Sequence, residues 1–233
     1  MADEPDHLFS RGNSKVGPHV FLFNLPTRKA CPGMSPICER VCYAMPPGVW
    51  PRWLAKYEEN LVAAGQPDFV RRAVVELQER EAILLRIHSS GDFFGAEYVR
   101  KWAEILRAVP QVTAWAYTRS WWSMREGRPS PAMIGELRRL ASVENMRLWF
   151  SCDASMGLPP KVEGVRVAFL QDEGETLLDP EGEVELVFRV RRRWRPPAER
   201  LALPLAPATG SICPHHRGRE TALTCETCRY CFL

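Results

Sequence analysis

The sequence predicts an α/β protein built on a parallel β-sheet. Short apolar runs rich in β-branched and aromatic residues alternate with longer segments in which apolar residues recur at helical spacing. Strands that alternate with helices of this length form βαβ units, whose crossovers are nearly always right-handed. With 233 residues, of which 45% are hydrophobic and 25% charged, the chain is long enough to bury one sizeable core.

Six strands and four helices are predicted along the chain. The first strand, HVFLFNL, is an aromatic-rich apolar run that ends before Pro26, and ILLRIHS, VTAWAYT, RLWFSC, VRVAFLQ and VELVFRV are runs of the same kind. Pro67 and Asp68 mark the start of one helix, and Pro110 ends another. The predicted strands span residues 19–25, 83–89, 112–118, 147–152, 165–171 and 184–190, and the predicted helices span residues 50–65, 67–80, 95–110 and 131–144.

Six strand–helix units are too few for a full eight-stranded barrel. We therefore expect a partial (β/α)6 barrel, with an open doubly wound sheet as the alternative. Residues 18–190 would form this barrel-like domain, after an N-terminal arm (1–17) and before a basic linker with a small cysteine-rich C-terminal lobe (191–233). In both architectures, functional sites form at the carboxyl ends of the strands.

Composition excludes several classes of protein. The net charge of +3 is mild, and no apolar run reaches the roughly 18 residues needed to span a bilayer. The first twenty residues carry acidic side chains and no continuous apolar segment, so we expect a cytoplasmic protein that is not bound to a membrane. The sequence contains no glycine-rich phosphate loop, nucleophile elbow or HExxH motif, which argues against hydrolase and kinase activities.

Eight cysteines give the strongest functional signal, because seven of them fall into two groups. Closely spaced thiols in a chain of this size are more often metal ligands than a disulfide framework. Only Cys152 stands apart, and it can be a buried thiol. The N-terminal group is Cys31, Cys38 and Cys42, and the C-terminal group is Cys213, Cys225, Cys228 and Cys231.

The spacing within each group narrows the choice of metal. The N-terminal C-x6-C-x3-C pattern lacks the C-x2-C pair typical of structural zinc and suits an iron–sulfur cluster. Three ligands either leave one iron open or are completed by Cys152. The C-terminal C-x2-C-x2-C run, together with Cys213, predicts a second cluster bound by four thiolates. Zinc is the alternative at this site, bound either by three of these cysteines with His215 or His216 or by all four sulfurs. We therefore expect two [4Fe-4S] clusters.

Polar residues follow three of the predicted strands and would meet at one rim of the sheet with the N-terminal cysteines, which follow the first strand. Ser90, Gly91 and Asp92 follow the second strand, and Ser151 and Asp153 lie at the end of the fourth. After the third strand come Thr118 and Arg119, which we expect to bind substrate because a guanidinium suits phosphate and carboxylate groups. Arg86 lies within a strand, and we expect it to form a structural salt bridge.

Several motifs together resemble the phage gene product 88 family over about residues 10 to 155: GNSKVG, CPGMSPICERVCYA, RIHSSGDFF, EYVRKWAEI and AYTRSW. More distantly, the placement of three cysteines after the first strand of a partial barrel resembles that of radical SAM enzymes, whose usual cysteine spacing is C-x3-C-x2-C. That resemblance implies a [4Fe-4S] cluster on the N-terminal cysteines, with an open iron for S-adenosylmethionine, and an auxiliary cluster on the C-terminal cysteines. It also implies that Ser90, Gly91 and Asp92 hold the methionine amino group and that Ser151 or Asp153 faces the ribose.

Two functions follow from these observations. The first is a radical SAM-like enzyme that receives electrons from a donor protein. The second is an iron–sulfur or zinc protein without catalysis, which binds nucleic acid or transfers electrons and has both sites closed by four protein ligands. Basic and aromatic residues suitable for nucleic acid are Arg191, Arg192, Arg193, Trp194 and Arg195. Cys152 discriminates the two functions, because its thiolate would close the N-terminal cluster.

Overall fold

The structure of the protein is a computed structural model that describes residues 7–42, 44, 51–172, 179, 181–189, 211–214 and 223–233. Within these residues, the helices are α1 (Pro36–Arg40), α2 (Pro51–Gly65), α3 (Phe69–Glu79), α4 (Ala96–Ala108), α5 (Pro131–Ala141) and α6 (Cys225–Cys228). None of the helices in this part of the chain is long and apolar enough to cross a membrane.

The strands form one large sheet and one small hairpin. The main sheet contains β1 (Ser10–Arg11), β2 (Val20–Phe23), β3 (Leu84–Ile87), β4 (Thr113–Thr118), β7 (Met146–Cys152), β8 (Val165–Gln171), β9 (Leu186–Arg189) and β10 (Ser211–Ile212), in that order. The hairpin pairs β5 (Trp122–Ser123) with β6 (Arg128–Pro129). All six predicted strands and all four predicted helices are therefore present, with small differences at their ends.

The main sheet is open, and its strands follow one another in chain order. All neighbouring strands from β2 to β10 are parallel, and only β1 is antiparallel, at one edge. A doubly wound sheet reverses its strand order at a switch point, whereas this order never reverses. The α/β class with a mostly parallel sheet is confirmed, and the described strands do not close into a barrel.

One face of the sheet packs against the helices. Alternate strand residues such as Phe23, Ile87 and Phe150 are fully buried in this core, because successive side chains on a strand point to opposite faces. Trp102 of α4 lies at its centre, with its ring 5.2 Å from that of Phe23 and 5.9 Å from that of Phe69 in edge-to-face contacts. We call the opposite face of the sheet the inner face.

Residues 223–233, which we call the C-terminal segment, cover the inner face. The Phe232 ring lies 4.6 Å from the Trp115 ring. Trp149 Nε1 donates a 2.9 Å hydrogen bond to the Cys231 carbonyl, and Arg166 Nη1 donates a 3.0 Å bond to the Tyr230 carbonyl. The C-terminal segment is therefore held on the sheet by apolar packing and by bonds to its main chain.

Candidate metal centres

The three N-terminal cysteines line one cavity at the carboxyl edge of the sheet. This carboxyl-edge cavity has a volume of about 650 Å³. Cys31, Cys38 and Cys42 are half-buried there, and burial, with smaller effects from Asp92 and from the neighbouring Cys38 and Cys42, raises the pKa of Cys31. Residues from three neighbouring strand ends also line the cavity: Arg86, His88, Ser89, Ser90, Gly91, Asp92, Tyr117, Arg119 and Ser151. The predicted convergence of polar groups and thiols at this edge is present in the structure.

The loop that carries these cysteines is held by Ser35 and Gly33. The Ser35 hydroxyl caps α1 by accepting a 3.0 Å hydrogen bond from the Cys38 amide, and it donates to the Asp153 carboxylate. A Cβ on Gly33 would overlap the Arg119 carbonyl, so only glycine allows this close approach of two loops. The cysteine loop is therefore clamped against the ends of β4 and β7.

A buried ion pair supports the same loop. Arg119 Nη1 contacts the Asp153 carboxylate and lies 3.3 Å from the Ser35 hydroxyl and 3.2 Å from Met156 Sδ. Burial alone would raise the pKa of Asp153, but the Arg119 charge and hydrogen bonds from Ser155 and Ser35 hold that pKa below its usual value. Arg119 lines the cavity as predicted, but its guanidinium binds Asp153 and organises the loop.

The segment after β3 is tied to its neighbours by its own polar groups. The Asp92 carboxylate accepts hydrogen bonds from Thr118 Oγ1 at 2.6 Å and from the Arg119 amide at 2.8 Å. Burial raises the pKa of Asp92, and these bonds oppose that rise. Ser90 Oγ donates to the Leu25 carbonyl at 2.9 Å, and Gly91 has φ +80° with no room for a Cβ beside Leu25. Asp92, Ser90 and Thr118 thus connect adjacent strand ends.

Cys152 is not among the residues that line the carboxyl-edge cavity. Its side chain is fully buried in the core on the helix-covered face, with Leu148 and Phe150, and its Sγ lies 3.7 Å from the Ala168 carbonyl. Burial raises the pKa of this thiol to about 12. Ser151, the preceding residue, lines the cavity instead, because alternate strand residues face opposite sides of the sheet.

Two cavity residues, His88 and Arg86, have roles that the sequence did not indicate. His88 has φ +59°, and its imidazole Nε2 lies 2.8 Å from the Tyr98 hydroxyl. Burial, with a smaller effect from Arg86, lowers the pKa of His88 to about 3, so the ring is neutral at pH 7.

Arg86 forms no ion pair among the described residues, so the prediction of a structural salt bridge was wrong. Its guanidinium lies over the rings of Tyr117 (4.4 Å) and Trp115 (5.9 Å).

The four C-terminal cysteines line a second cavity, on the inner face. This inner-face cavity has a volume of about 350 Å³, and its remaining lining is Leu186, Pro214, Leu223, Arg229 and Tyr230. The helix α6 carries Cys225 and Cys228 one turn apart and starts at a capping box formed by Thr224 and Thr227. Tyr117 donates a 2.8 Å hydrogen bond to Cys231 Sγ from the sheet below.

Burial keeps the thiols of Cys31 and Cys231 neutral at pH 7 unless a cation binds them. All eight cysteines, each within the described residues, are free of disulfides. Burial raises the pKa of Cys31 to about 12 and that of Cys231 to about 11. A bound metal deprotonates a coordinating thiol outright. Thiolates in these positions therefore require a positive centre beside them.

No group of three or more His, Cys, Asp or Glu side chains in the described ranges is arranged around a single metal ion. A single zinc ion needs all its sulfur ligands about 2.3 Å from one point. The cysteines of an iron–sulfur cluster bind different irons and therefore lie farther apart. His215, His216 and the basic run from Arg191 to Arg195 lie outside the described residues.

The fold and its cavities define the class: an α/β protein with an open, mostly parallel sheet that carries free cysteines at its carboxyl edge and on its inner face. The family model for gene product 88 matches residues 7–232, and the chain belongs to this family. The chain is 29% identical over 182 residues to the Gene 88 protein of Mycobacterium phage L5, which covers 72% of this chain and 68% of that protein. The Gene 88 protein of Mycobacterium phage D29 is also 29% identical, over 185 residues, with the same coverage of both chains. No solved structure matches the chain.

Proposed function

We propose that the protein is an iron–sulfur enzyme of the radical SAM type. In this proposal, Cys31, Cys38 and Cys42 hold a [4Fe-4S] cluster with one open iron, and the four C-terminal cysteines hold a closed auxiliary cluster. The observation that carries the proposal is the different number of thiols in the two cavities. Three cysteines share the carboxyl-edge cavity, and the fourth candidate, Cys152, lies in the core on the other face of the sheet.

The size and lining of the carboxyl-edge cavity support a bound small molecule. A cluster held there would supply one low-potential electron to S-adenosylmethionine. The chain's own residues would position that cofactor through the Ser90–Asp92 segment and Ser151, which line the cavity. Arg119 and Asp153 would contribute indirectly, because they fix the cysteine loop on the sheet.

The strand order supports the partial (β/α)6 barrel as the finer description of the fold. Strands that follow one another in sequence, with the helix core on one face, are arranged as in a barrel that has been opened. The C-terminal segment then occupies the side that corresponds to a barrel interior. This arrangement would shield both clusters from water, which protects radical chemistry.

The proposal also implies a partner and a compartment. Reductive cleavage of S-adenosylmethionine would consume one electron, which a donor protein would supply. A reducing compartment such as the cytoplasm keeps exposed cysteine pairs from forming disulfides. The alternative function, nucleic-acid binding with two closed metal sites, depends on residues 191–195 and becomes the better hypothesis if the first test below fails.

The first test is low-temperature EPR of anaerobically purified, dithionite-reduced protein, with and without S-adenosylmethionine. We expect a cluster signal that changes when S-adenosylmethionine is added, because an open iron can bind it. The Cys152→Ala variant is the matched control, and we expect the same change in its spectrum. A cluster signal that is indifferent to S-adenosylmethionine, or a protein that contains only zinc, would refute the enzyme proposal.

A further inference from the structure

Two side chains, Arg86 and Tyr117, lie between the two cysteine sites. They project from neighbouring strands β3 and β4 on the inner face, and both line the carboxyl-edge cavity with the N-terminal cysteines. The Tyr117 hydroxyl reaches in the other direction and donates a 2.8 Å hydrogen bond to Cys231 Sγ. One aromatic ring therefore contacts both sites.

The charge of Arg86 has no counter-charge in this part of the molecule. The side chain is buried, with 9% of the residue exposed, and no carboxylate pairs with it among the described residues. Its guanidinium is instead stacked 4.4 Å from the centre of the Tyr117 ring. A buried, unpaired charge is costly, so this position favours a nearby anion.

We infer that Arg86 and Tyr117 set the reduction potential of the C-terminal cluster and couple that cluster to the carboxyl-edge cavity. This inference rests on the proposed function, since it assumes a cluster on the C-terminal cysteines. A cysteine-ligated cluster carries net negative charge, and reduction adds one more electron. A hydrogen bond to a ligand sulfur and a buried cation nearby both stabilise that added charge, so both raise the potential.

The coupling follows from the shared position of the two side chains. An anionic group bound in the carboxyl-edge cavity would lie beside the same guanidinium that stabilises the reduced C-terminal cluster. Its charge would offset part of the Arg86 charge and lower the potential of that cluster. By linkage, the oxidation state of the C-terminal cluster would change the affinity of the cavity for an anion by the same free energy.

The test is an EPR-monitored redox titration of full-length protein in which Cys31, Cys38 and Cys42 are replaced by serine, so that only the C-terminal cluster gives a signal. In this background we expect Tyr117→Phe and Arg86→Met each to shift the midpoint potential to a more negative value. Arg86→Lys, which keeps the charge, should shift the potential less than Arg86→Met. Arg139→Met is the matched control for Arg86→Met, because Arg139 is an exposed residue of α5 that pairs with Glu136 at 2.9 Å and lines neither cavity, and it should leave the potential unchanged.

The outcomes separate this inference from the proposed function. If the C-terminal cluster is present at full iron content and neither Tyr117→Phe nor Arg86→Met shifts its potential, the inference is wrong and the proposed function stands. If the protein binds no iron at these cysteines, both fail together. Retained iron content and an unchanged circular dichroism spectrum in each variant exclude misfolding as the cause of a shift.

Discussion

The two cysteine sites differ in size, ligand number and surroundings. The carboxyl-edge cavity is the larger of the two and contains three thiols, together with arginine, serine and aspartate side chains. The inner-face cavity is smaller, and its four thiols lie mainly among apolar side chains. A wide site with too few ligands is suited to binding a substrate, whereas a small, fully ligated site is suited to storing an electron. Under the proposed function, the same residue type would therefore serve two purposes in one chain.

The two sites are also held in place by different forces. The N-terminal cysteine loop depends on hydrogen bonds and on the buried Arg119–Asp153 ion pair. The C-terminal segment depends on the contact between Phe232 and Trp115 and on main-chain bonds, including Cys225 N to the Lys15 carbonyl at 2.9 Å. Each site should therefore respond to a different kind of mutation.

Single cysteine replacements are expected to give the largest difference between the two sites, because each should affect one site and leave the other intact. Cys38→Ser should remove about half of the bound iron and abolish the response to S-adenosylmethionine, because each cluster depends on all its protein ligands. Cys228→Ser should remove the other half and leave the response intact. Iron per chain and the EPR spectrum of the reduced protein measure both effects. Loss of both clusters in either variant, with the fold retained, would mean that the sites are not independent.

Breaking the buried ion pair should weaken the N-terminal site selectively. Asp153→Asn leaves the Arg119 charge buried without its partner, and we expect this to lower the free energy of unfolding by about 4 kcal/mol. Denaturant unfolding measures the loss. Glu181→Gln, which removes an exposed carboxylate 3.0 Å from Lys161, is the control and should change little. Equal stability of the two variants would show that the pair does not hold the loop.

Removing the Phe232 ring should weaken the C-terminal site instead. The residue is 5% exposed, and Phe232→Ala is expected to lower the free energy of unfolding by about 3 kcal/mol, through lost apolar contacts and a residual cavity. It should also speed the loss of iron from the C-terminal cysteines to a chelator. Leu233→Ala, at a residue that is 77% exposed, serves as the control. Iron release at the wild-type rate from Phe232→Ala would contradict the proposed role of this contact.

The loss of folding stability in acid should arise mainly in the carboxyl-edge region, because His88 is buried there as a neutral ring. Its pKa is about 3 in the folded protein and 6.5 in the unfolded chain, so the unfolded chain binds the proton first as the pH falls. Stability is therefore lost below pH 6.5, by about 2 kcal/mol between pH 6.5 and 4.5. Unfolding of wild type and His88→Gln over this range measures the effect. The same pH dependence in both proteins would remove His88 as its source.

Much of the fold could be predicted because its signals are local. Each strand of the parallel sheet is buried by side chains on both faces, so it reads as a continuous apolar run, as VTAWAYT does. The N-terminal cysteines and the Ser90–Asp92 segment follow strand ends directly, and the strand-end rule brought them to one cavity. The two-residue strands β1, β5, β6 and β10 have no such signal and were not predicted.

The remaining features depend on which face of the sheet a residue occupies. The sequence offers Cys152 as a fourth ligand for the N-terminal cluster. In the strand, however, Cys152 lies on the same face as Leu148 and Phe150, which belong to the helix-covered core. Arg86 lies between the core residues Leu85 and Ile87, so the same alternation directs it to the inner face. The covering of that face by the C-terminal segment could not be predicted, because it joins residues more than a hundred positions apart, such as Tyr117 and Cys231.

The position of the C-terminal segment also has a consequence for the order in which the protein is assembled. Residues 223–233 follow every strand of the sheet in the sequence, so a ribosome makes them after the surface that they cover. Until then, the aromatic rings of Trp115 and Trp149 face water, and three of the four C-terminal thiols do not yet exist. Closing this surface and completing the second cysteine site are therefore one late event, so a metal bound at these cysteines would have to be delivered at the final stage of folding.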